Sequence, residues 1–232
     1  MQTLRTLGPI LRLALVLIAA PYLLYQVRKP SRWIGRFFLW MMNMSHSGLT
    51  DWGLRHVQFE RRFTILDVGC GGGRTVEKLA GLASEGFIYG VDYAKGSVAA
   101  SRARNAPLIK TGRVEIREAS IAQLPFSENT FDVVTAVETH YYWPDLVKSM
   151  QEVLRVLKPG GMLMIVAESY KKGAYSALKG PAMKLLRAAN LTVEQHRALF
   201  SRAGYTNVQI FEERAKGWIC AIGKKPLGSP AA

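Results

Sequence analysis

Three groups of residues in this 232-residue chain have types and spacings suited to chemistry. The first is Asp67-Val68-Gly69-Cys70-Gly71-Gly72-Gly73, an acid running into glycines at every second position. Glycine takes positive φ and lets the backbone approach a ligand with no Cβ in the way, so such a loop is built to hold something. A dinucleotide pattern G-x-G-x-x-G started at Gly69 meets Arg74 where its last glycine belongs, and no Gly-Lys-Ser/Thr follows for a phosphate loop. The second group is Asp92, at the end of the apolar run Gly86 to Val91. In a Rossmann-like sheet that acid stands beside the first loop, where a carboxylate accepts hydrogen bonds from both hydroxyls of a ribose. The third is Glu138-Thr139-His140-Tyr141-Tyr142-Trp143, an imidazole with two phenols after the apolar run Phe131 to Val137.

Bringing these groups together requires strands that end side by side. Thr64 to Val68 has the β-branched, unbroken apolar character of a strand buried on both faces. From Phe63 onward the pattern alternates: strand 63–68, helix 74–83, strand 87–91, helix 95–105, strand 113–118, strand 131–136, helix 145–156, strand 161–167. Alternation of this kind predicts an α/β, doubly wound, mostly parallel sheet covered on both faces. Ligands of such sheets bind at the carboxyl ends of the strands, where all three groups fall. Pro144 is placed as the first helical residue, which leaves Glu138 to Trp143 as a loop.

The segments LDVGCGGG, YGVDYAKGSVAASRA, LPFSENTFDVV and VLRVLKPGGMLMI, in that order between about Phe63 and Ala167, resemble the class I S-adenosylmethionine-dependent methyltransferases. The resemblance implies a seven-stranded Rossmann-like sheet, with helix 192–203 and strands 206–212 and 217–223 supplying the antiparallel strand. It implies S-adenosyl-L-methionine as cofactor and S-adenosyl-L-homocysteine as product. Asp67, Gly69, Gly71 and Gly73 then serve the methionine end, and Asp92 the ribose. Ser120 and Ile121 serve the adenine. At Ser120 the family commonly has an acid for the adenine amino group, so this contact departs from the pattern. The Glu138–Trp143 loop would face the transferable methyl, with His140 as base and Tyr141 and Tyr142 orienting or surrounding the methyl. Glu138 is a candidate for the methionine ammonium. Segments before the first strand often shape the substrate pocket in this family, which makes His46, Trp52 and His56 substrate candidates.

The remaining sequence bears on place and partners. Net charge is +14, and residues 1–62 carry nine Arg or Lys against two acids, so half the excess lies in about a quarter of the length. Leu7 to Tyr25 is apolar save Arg12; nineteen residues as helix reach about 28 Å, close to the roughly 30 Å hydrocarbon core. Residues 1–29 therefore read as a membrane anchor, with a cleaved signal peptide and a helix packed on the domain as the competing readings. Arg28, Lys29, Arg32 and Arg36 make its carboxyl flank the more basic one, which puts the domain on the cytoplasmic side. Residues 30–62 read as an amphipathic and substrate-cap segment: Trp33, Ile34, Phe37, Phe38, Trp40, Met41 and Met44 share one face, and a short helix begins after Thr50 or Asp51 as N-cap. Residues 63–225 form the catalytic domain and 226–232 a loose tail.

Cys70 and Cys220 are too few for a disulfide framework and lack metal-ligand spacing, so no metal is expected. Nucleic acid is not an expected partner either, because no stacking motif or RNA-binding signature is present. The basic stripe Lys171, Lys172, Lys179, Lys184 and Arg187 suits lipid headgroups, an acidic substrate or plain solvation. The expected function is methyl transfer to a small, amphiphilic or lipid-like acceptor. A water-soluble acceptor and a non-catalytic, membrane-tethered cofactor-binding module are the rival readings.

Overall fold

The computed structural model describes residues 47–168 and 191–228. The proposed anchor 1–29, the amphipathic stretch up to Met44, His46 and the basic stripe from Lys171 to Arg187 lie outside the described residues. Among the described residues no helix is long and apolar enough to cross a membrane.

Strand β1 (Thr64–Val68) is central because it is apolar on both faces, and it is flanked in parallel by β2 (Phe87–Asp92) and β4 (Phe131–Val137). The full sheet has seven strands in the order β3-β2-β1-β4-β5-β7-β6, with β3 (Val114–Glu118), β5 (Leu157–Ala167), β6 (Thr206–Glu213) and β7 (Trp218–Lys224). Only β7 runs against its neighbours, antiparallel to both β5 and β6. Chain order reverses between β1 and β4, which opens a crevice at their carboxyl ends.

Alternate residues of each strand feed opposite cores. Ile65, Ile88 and Val166 pack under α1 (Ser47–Leu54), α2 (Arg74–Leu82) and α3 (Lys95–Arg104), together with Val76, Leu79 and Val98. Leu66, Val134 and Leu163 pack on the other face under α5 (Leu146–Val156) and α6 (Val193–Arg202), with Met150, Val153 and Phe200. A short helix, α4 (Ala106–Lys110), follows α3 with Pro107 in its first turn, where the missing amide proton costs nothing. Helix α6 opens on a capping box: Thr192 Oγ1 accepts from the Gln195 amide (3.2 Å) and Gln195 Oε1 from the Thr192 amide (2.8 Å).

Three local expectations are corrected. Helix α1 starts at Ser47, so Thr50 is a buried residue within it and not its cap. The helix is set by its close seat on β5: a Cβ on Gly53 would come within 2.5 Å of Val166 Cγ2. Pro144 lies before α5, whose N-cap is Asp145, accepting from the Lys148 amide at 3.1 Å. Strand β5 begins at Leu157 and not at 161, taking in Pro159 and Gly160, because Leu157 pairs with Phe131 across a bulge.

Candidate functional site

The three chemistry-bearing groups meet at the carboxyl edge of β1, β2 and β4. The glycine loop is fastened to the end of β2. The Gly69 and Cys70 amides donate to the Val91 carbonyl at 2.8 and 3.0 Å, and the Gly71 amide donates to Asp92 Oδ2 at 3.0 Å. Gly69, Gly71 and Gly73 all have positive φ, at 72°, 51° and 79°. Their surroundings differ. A Cβ on Gly69 would stand 2.1 Å from Thr139 Oγ1, because the loop after β4 rests on the glycine loop. A Cβ on Gly73 would stand 2.5 Å from Ser101 Oγ and from Asn105 Nδ2, which donates to the Gly73 carbonyl at 3.0 Å. At Gly71, among the described residues, an added Cβ would meet only the Gly69 carbonyl oxygen, at 4.0 Å. Gly69 and Gly73 are thus required by neighbouring protein, whereas Gly71 faces the open crevice. That open backbone beside a carboxylate fits a cofactor carrying a ribose and a cationic amino-acid end.

Asp92 is 8% exposed, and its Oδ1 accepts from the Ala94 amide at 2.8 Å. Burial raises its pKa, opposed by the hydrogen bonds from Ala94, Gly71 and the Ser97 hydroxyl. Asp67 is 2% exposed and lies in register between Gly90 on β2 and Thr135 on β4. Thr135 donates to Asp67 Oδ1 at 2.7 Å. Burial pushes the Asp67 carboxyl up to about 7; the Thr135 bond pulls down and the charge of Asp92 pushes up.

That shift has a measurable consequence. The native chain keeps a proton on Asp67 that the unfolded chain sheds near pH 4, so stability of the cofactor-free protein falls as pH rises from about 4 to about 7. A displacement from 3.8 to about 7 corresponds to about 4 kcal/mol, fully lost above pH 7. Asp67→Asn retains an acceptor for Thr135 without a titrating proton. Denaturant melts of the two proteins at pH 5 and pH 8 should diverge, the variant being the more stable at pH 8. Parallel pH dependences would remove Asp67 as the source.

The other expected site residues take varied positions. Ser120 is exposed and its hydroxyl accepts from the Ala122 amide at 3.2 Å, closing its own turn. The Ile121 side chain is in the core, so only its main chain is offered to a ligand. The following Leu124–Phe126 segment is clamped from α5: Glu152 Oε1 accepts from the Leu124 amide (2.7 Å), and Arg155 donates to the Phe126 carbonyl (2.8 Å). Glu138 has φ 57° and turns its carboxylate along the sheet, where Oε1 accepts from the Tyr141 hydroxyl (2.9 Å) and from the Glu168 amide. It therefore braces the ends of β4 and β5. His140, Tyr141 and Tyr142 form a 3-10 turn, with Tyr141 buried and Tyr142 half-buried.

His140 is fully buried, its ring 4.4 Å from Tyr141 and 5.5 Å from His196 between centres. Burial, then the charge of His196, holds its pKa well below the usual histidine value. Trp52 and His56 have aromatic partners on the antiparallel edge of the sheet: His56 stacks on Phe211 of β6 at 4.1 Å, and Trp52 lies 5.9 Å from Trp218 of β7. His46 lies outside the described residues.

Several contributors carry weak sequence signals. Thr135 is a polar residue inside the apolar run of β4, directly beside Asp67, and that interruption is the one legible sign. Ser101, Glu152 and His196 sit on helices, and Asn105 at the junction of α3 and α4, with no sequence indication that they serve the crevice.

Residues 66–165 match a family model described as a methyltransferase domain. The chain is 24% identical to the uncharacterized methyltransferase YdaC of Bacillus subtilis, over 81% of this chain and 97% of that protein. It is 32% identical to the demethylmenaquinone methyltransferase of Desulfitobacterium hafniense, over 47% of this chain and 43% of that protein. It thus spans nearly all of one relative and less than half of the other. The structure is similar to that of an S-adenosylmethionine-dependent methyltransferase from Aquifex aeolicus, with a TM-score of 0.63 and 20% identity, covering 76% of this chain and 89% of that one.

Proposed function

We propose that this chain, an S-adenosylmethionine-dependent methyltransferase of class I fold, methylates a small amphiphilic or lipid-like acceptor at a membrane surface and releases S-adenosyl-L-homocysteine. The observation that carries methyl transfer is the crevice itself, where Gly71 opens toward a ligand while its amide is held by Asp92. The cofactor, when bound, supplies an electrophilic methyl on a sulfonium.

The chain's own residues bind, orient and shield. Asp92 accepts from the ribose hydroxyls while keeping the loop in place. Asp67, Gly69, Gly71 and Gly73 hold the methionine end, and a cation lodged beside Asp67 favours its ionised form. The Ile121 main chain, with Ser120, borders the adenine. Glu138 is engaged with Tyr141 and Glu168, so its part is to set the turn that carries His140, Tyr141 and Tyr142 rather than to meet the methionine ammonium. Displacement at a methyl carbon needs an in-line lone pair more than a strong acid, so the main service of that turn is to place the acceptor. His140, buried and held in its neutral form, is a candidate to take a proton from an acceptor that carries one.

The lipid-like acceptor and the membrane, with the domain on the cytoplasmic side, rest on the apolar stretch Leu7 to Tyr25, the basic residues after it and the amphipathic segment up to Met44. Trp52, His56 and His46 stay candidates for the acceptor side of the site, since α1 continues directly from that segment. A relative named demethylmenaquinone methyltransferase, matched over less than half its length, is in keeping with such an acceptor.

The test supplies methyl-labelled cofactor and total lipid extract to the purified full-length chain, then partitions the product. Label is expected in the organic phase. Label confined to the aqueous phase would sink the lipid-like acceptor.

A further inference from the structure

Two buried histidines are left with unmet hydrogen-bonding capacity. His140 lies in the turn after β4 and His196 in the first turn of α6, and neither ring is exposed. His196 Nδ1 is 2.8 Å from the Thr192 carbonyl oxygen. A carbonyl only accepts, so Nδ1 carries the proton and Nε2 of the neutral ring presents a lone pair. That Nε2 has no hydrogen-bond partner among the described residues, and neither ring nitrogen of His140 has one. Folded proteins seldom leave buried nitrogens unpaired unless a ligand or water meets them. Here three occur together, with the ring centres 5.5 Å apart and beside the small apolar cluster of Tyr141, Ala167 and Ile219.

The chemistry the two rings offer is specific. Burial keeps both histidines in the neutral form. His196 gives an acceptor; His140 gives one donor and one acceptor. A carbonyl has no hydrogen for His196, and an ammonium would carry its charge into a place where both rings are fully buried, at a heavy desolvation cost. A metal would want a third ligand, and among the described residues no group of three His, Cys, Asp or Glu stands ready. A hydroxyl meets both demands at one atom.

We propose that the His140–His196 pair is a binding site for a neutral hydroxyl group, which donates to His196 Nε2 and accepts from the protonated nitrogen of His140. The hydroxyl comes either from the methyl acceptor or from a lodged water molecule. The acceptor as source rests on the methyl-transfer reading, because the turn that holds His140 follows the strand ending beside the glycine loop. The water does not depend on that reading. For an alcohol or phenol acceptor His196 Nε2, which faces the hydroxyl proton, then replaces His140 as the base, and the N–H of His140 holds the oxygen; the sequence gives no cause to single His196 out.

The experiment follows the histidine ring nitrogens of the 15N-labelled full-length chain by NMR, first alone, then with S-adenosyl-L-homocysteine, then with phenol as hydroxyl probe. His196 is expected as the Nδ1–H tautomer with a hydrogen-bonded Nε2. If that signature is present before phenol, with cross-relaxation to solvent, water is the source. If it arises only with phenol, an acceptor hydroxyl is the source, and His196→Phe should then weaken phenol binding at least tenfold.

Three results would overturn the proposal: an Nε2–H tautomer of His196, a direct imidazole-to-imidazole coupling between the rings, or an Nε2 that stays a bare lone pair under every condition. The wild-type spectra decide these even where His196→Phe does not fold. Failure of S-adenosyl-L-homocysteine to bind while the His196 signature persists would remove the cofactor assignment and leave the hydroxyl site standing.

Discussion

Gly71→Ala is expected to fold and to lose most of its affinity for S-adenosyl-L-homocysteine. The new methyl meets no described protein atom closer than the Gly69 carbonyl oxygen at 4.0 Å, so the cost to the fold is that of an alanine at φ 51°, about 1 kcal/mol. In the bound state the same methyl points into the space the ligand fills, and an overpacked contact of about 3 kcal/mol weakens binding roughly 100-fold. Gly69→Ala separates the two effects. Its methyl would lie 2.1 Å from Thr139 Oγ1 and 2.7 Å from Thr139 Cβ, so the loss appears first in the melting temperature, at about 3 kcal/mol or more. Calorimetric titration and thermal melts of both variants give the comparison. Unchanged binding in a folded Gly71→Ala protein would mean that the ligand does not occupy this crevice.

Asp92→Ala is expected to have the larger effect on affinity, about 1,000-fold. The carboxylate holds the Gly71 and Ala94 amides and, on the reading above, both ribose hydroxyls. Charge-assisted hydrogen bonds of this kind contribute about 1.5–3 kcal/mol each, so losing two accounts for the estimate. Asp92→Asn is a graded control. One of its side-chain atoms becomes an NH2 that must face either the Gly71 or the Ala94 amide, donor against donor, so it should lose roughly 30-fold rather than nothing. Titration with S-adenosyl-L-homocysteine at low and high salt reads both. Wild-type affinity in Asp92→Ala would cancel the ribose assignment.

The sheet and the crevice were legible because each strand carries its own evidence. Apolar, β-branched runs end in an acid or a glycine at the same side, and the alternation with helices leaves little freedom in topology. What the pattern could not supply were contacts made across long stretches of chain. Nothing in the run Glu138 to Trp143 announces that Glu138 turns away to Tyr141 and Glu168, since a positive φ at a glutamate has no compositional sign. His140 looked accessible because it sits in a loop; its burial depends on α6, more than fifty residues later. Ser120 was placed correctly in the turn after β3, but its hydroxyl closes that turn. Trp52 and His56 were assigned by position before β1, and their aromatic partners Trp218 and Phe211 lie more than 150 residues later, beyond the reach of any local pattern. The start of β5 four residues before 161 was hidden for the opposite reason: Pro159 and Gly160 break the apolar pattern locally yet are carried within a bulged strand.

Glu138 also has a meaning for engineering. Its carboxylate fixes the Glu168 amide, and the capping box at Thr192 fixes the start of α6. The chain between these two points therefore leaves from and returns to posts set by the scaffold itself. Keeping Glu138, Thr192 and Gln195 keeps the end of β5 and the start of α6 as two fixed points around which the crevice can be redesigned.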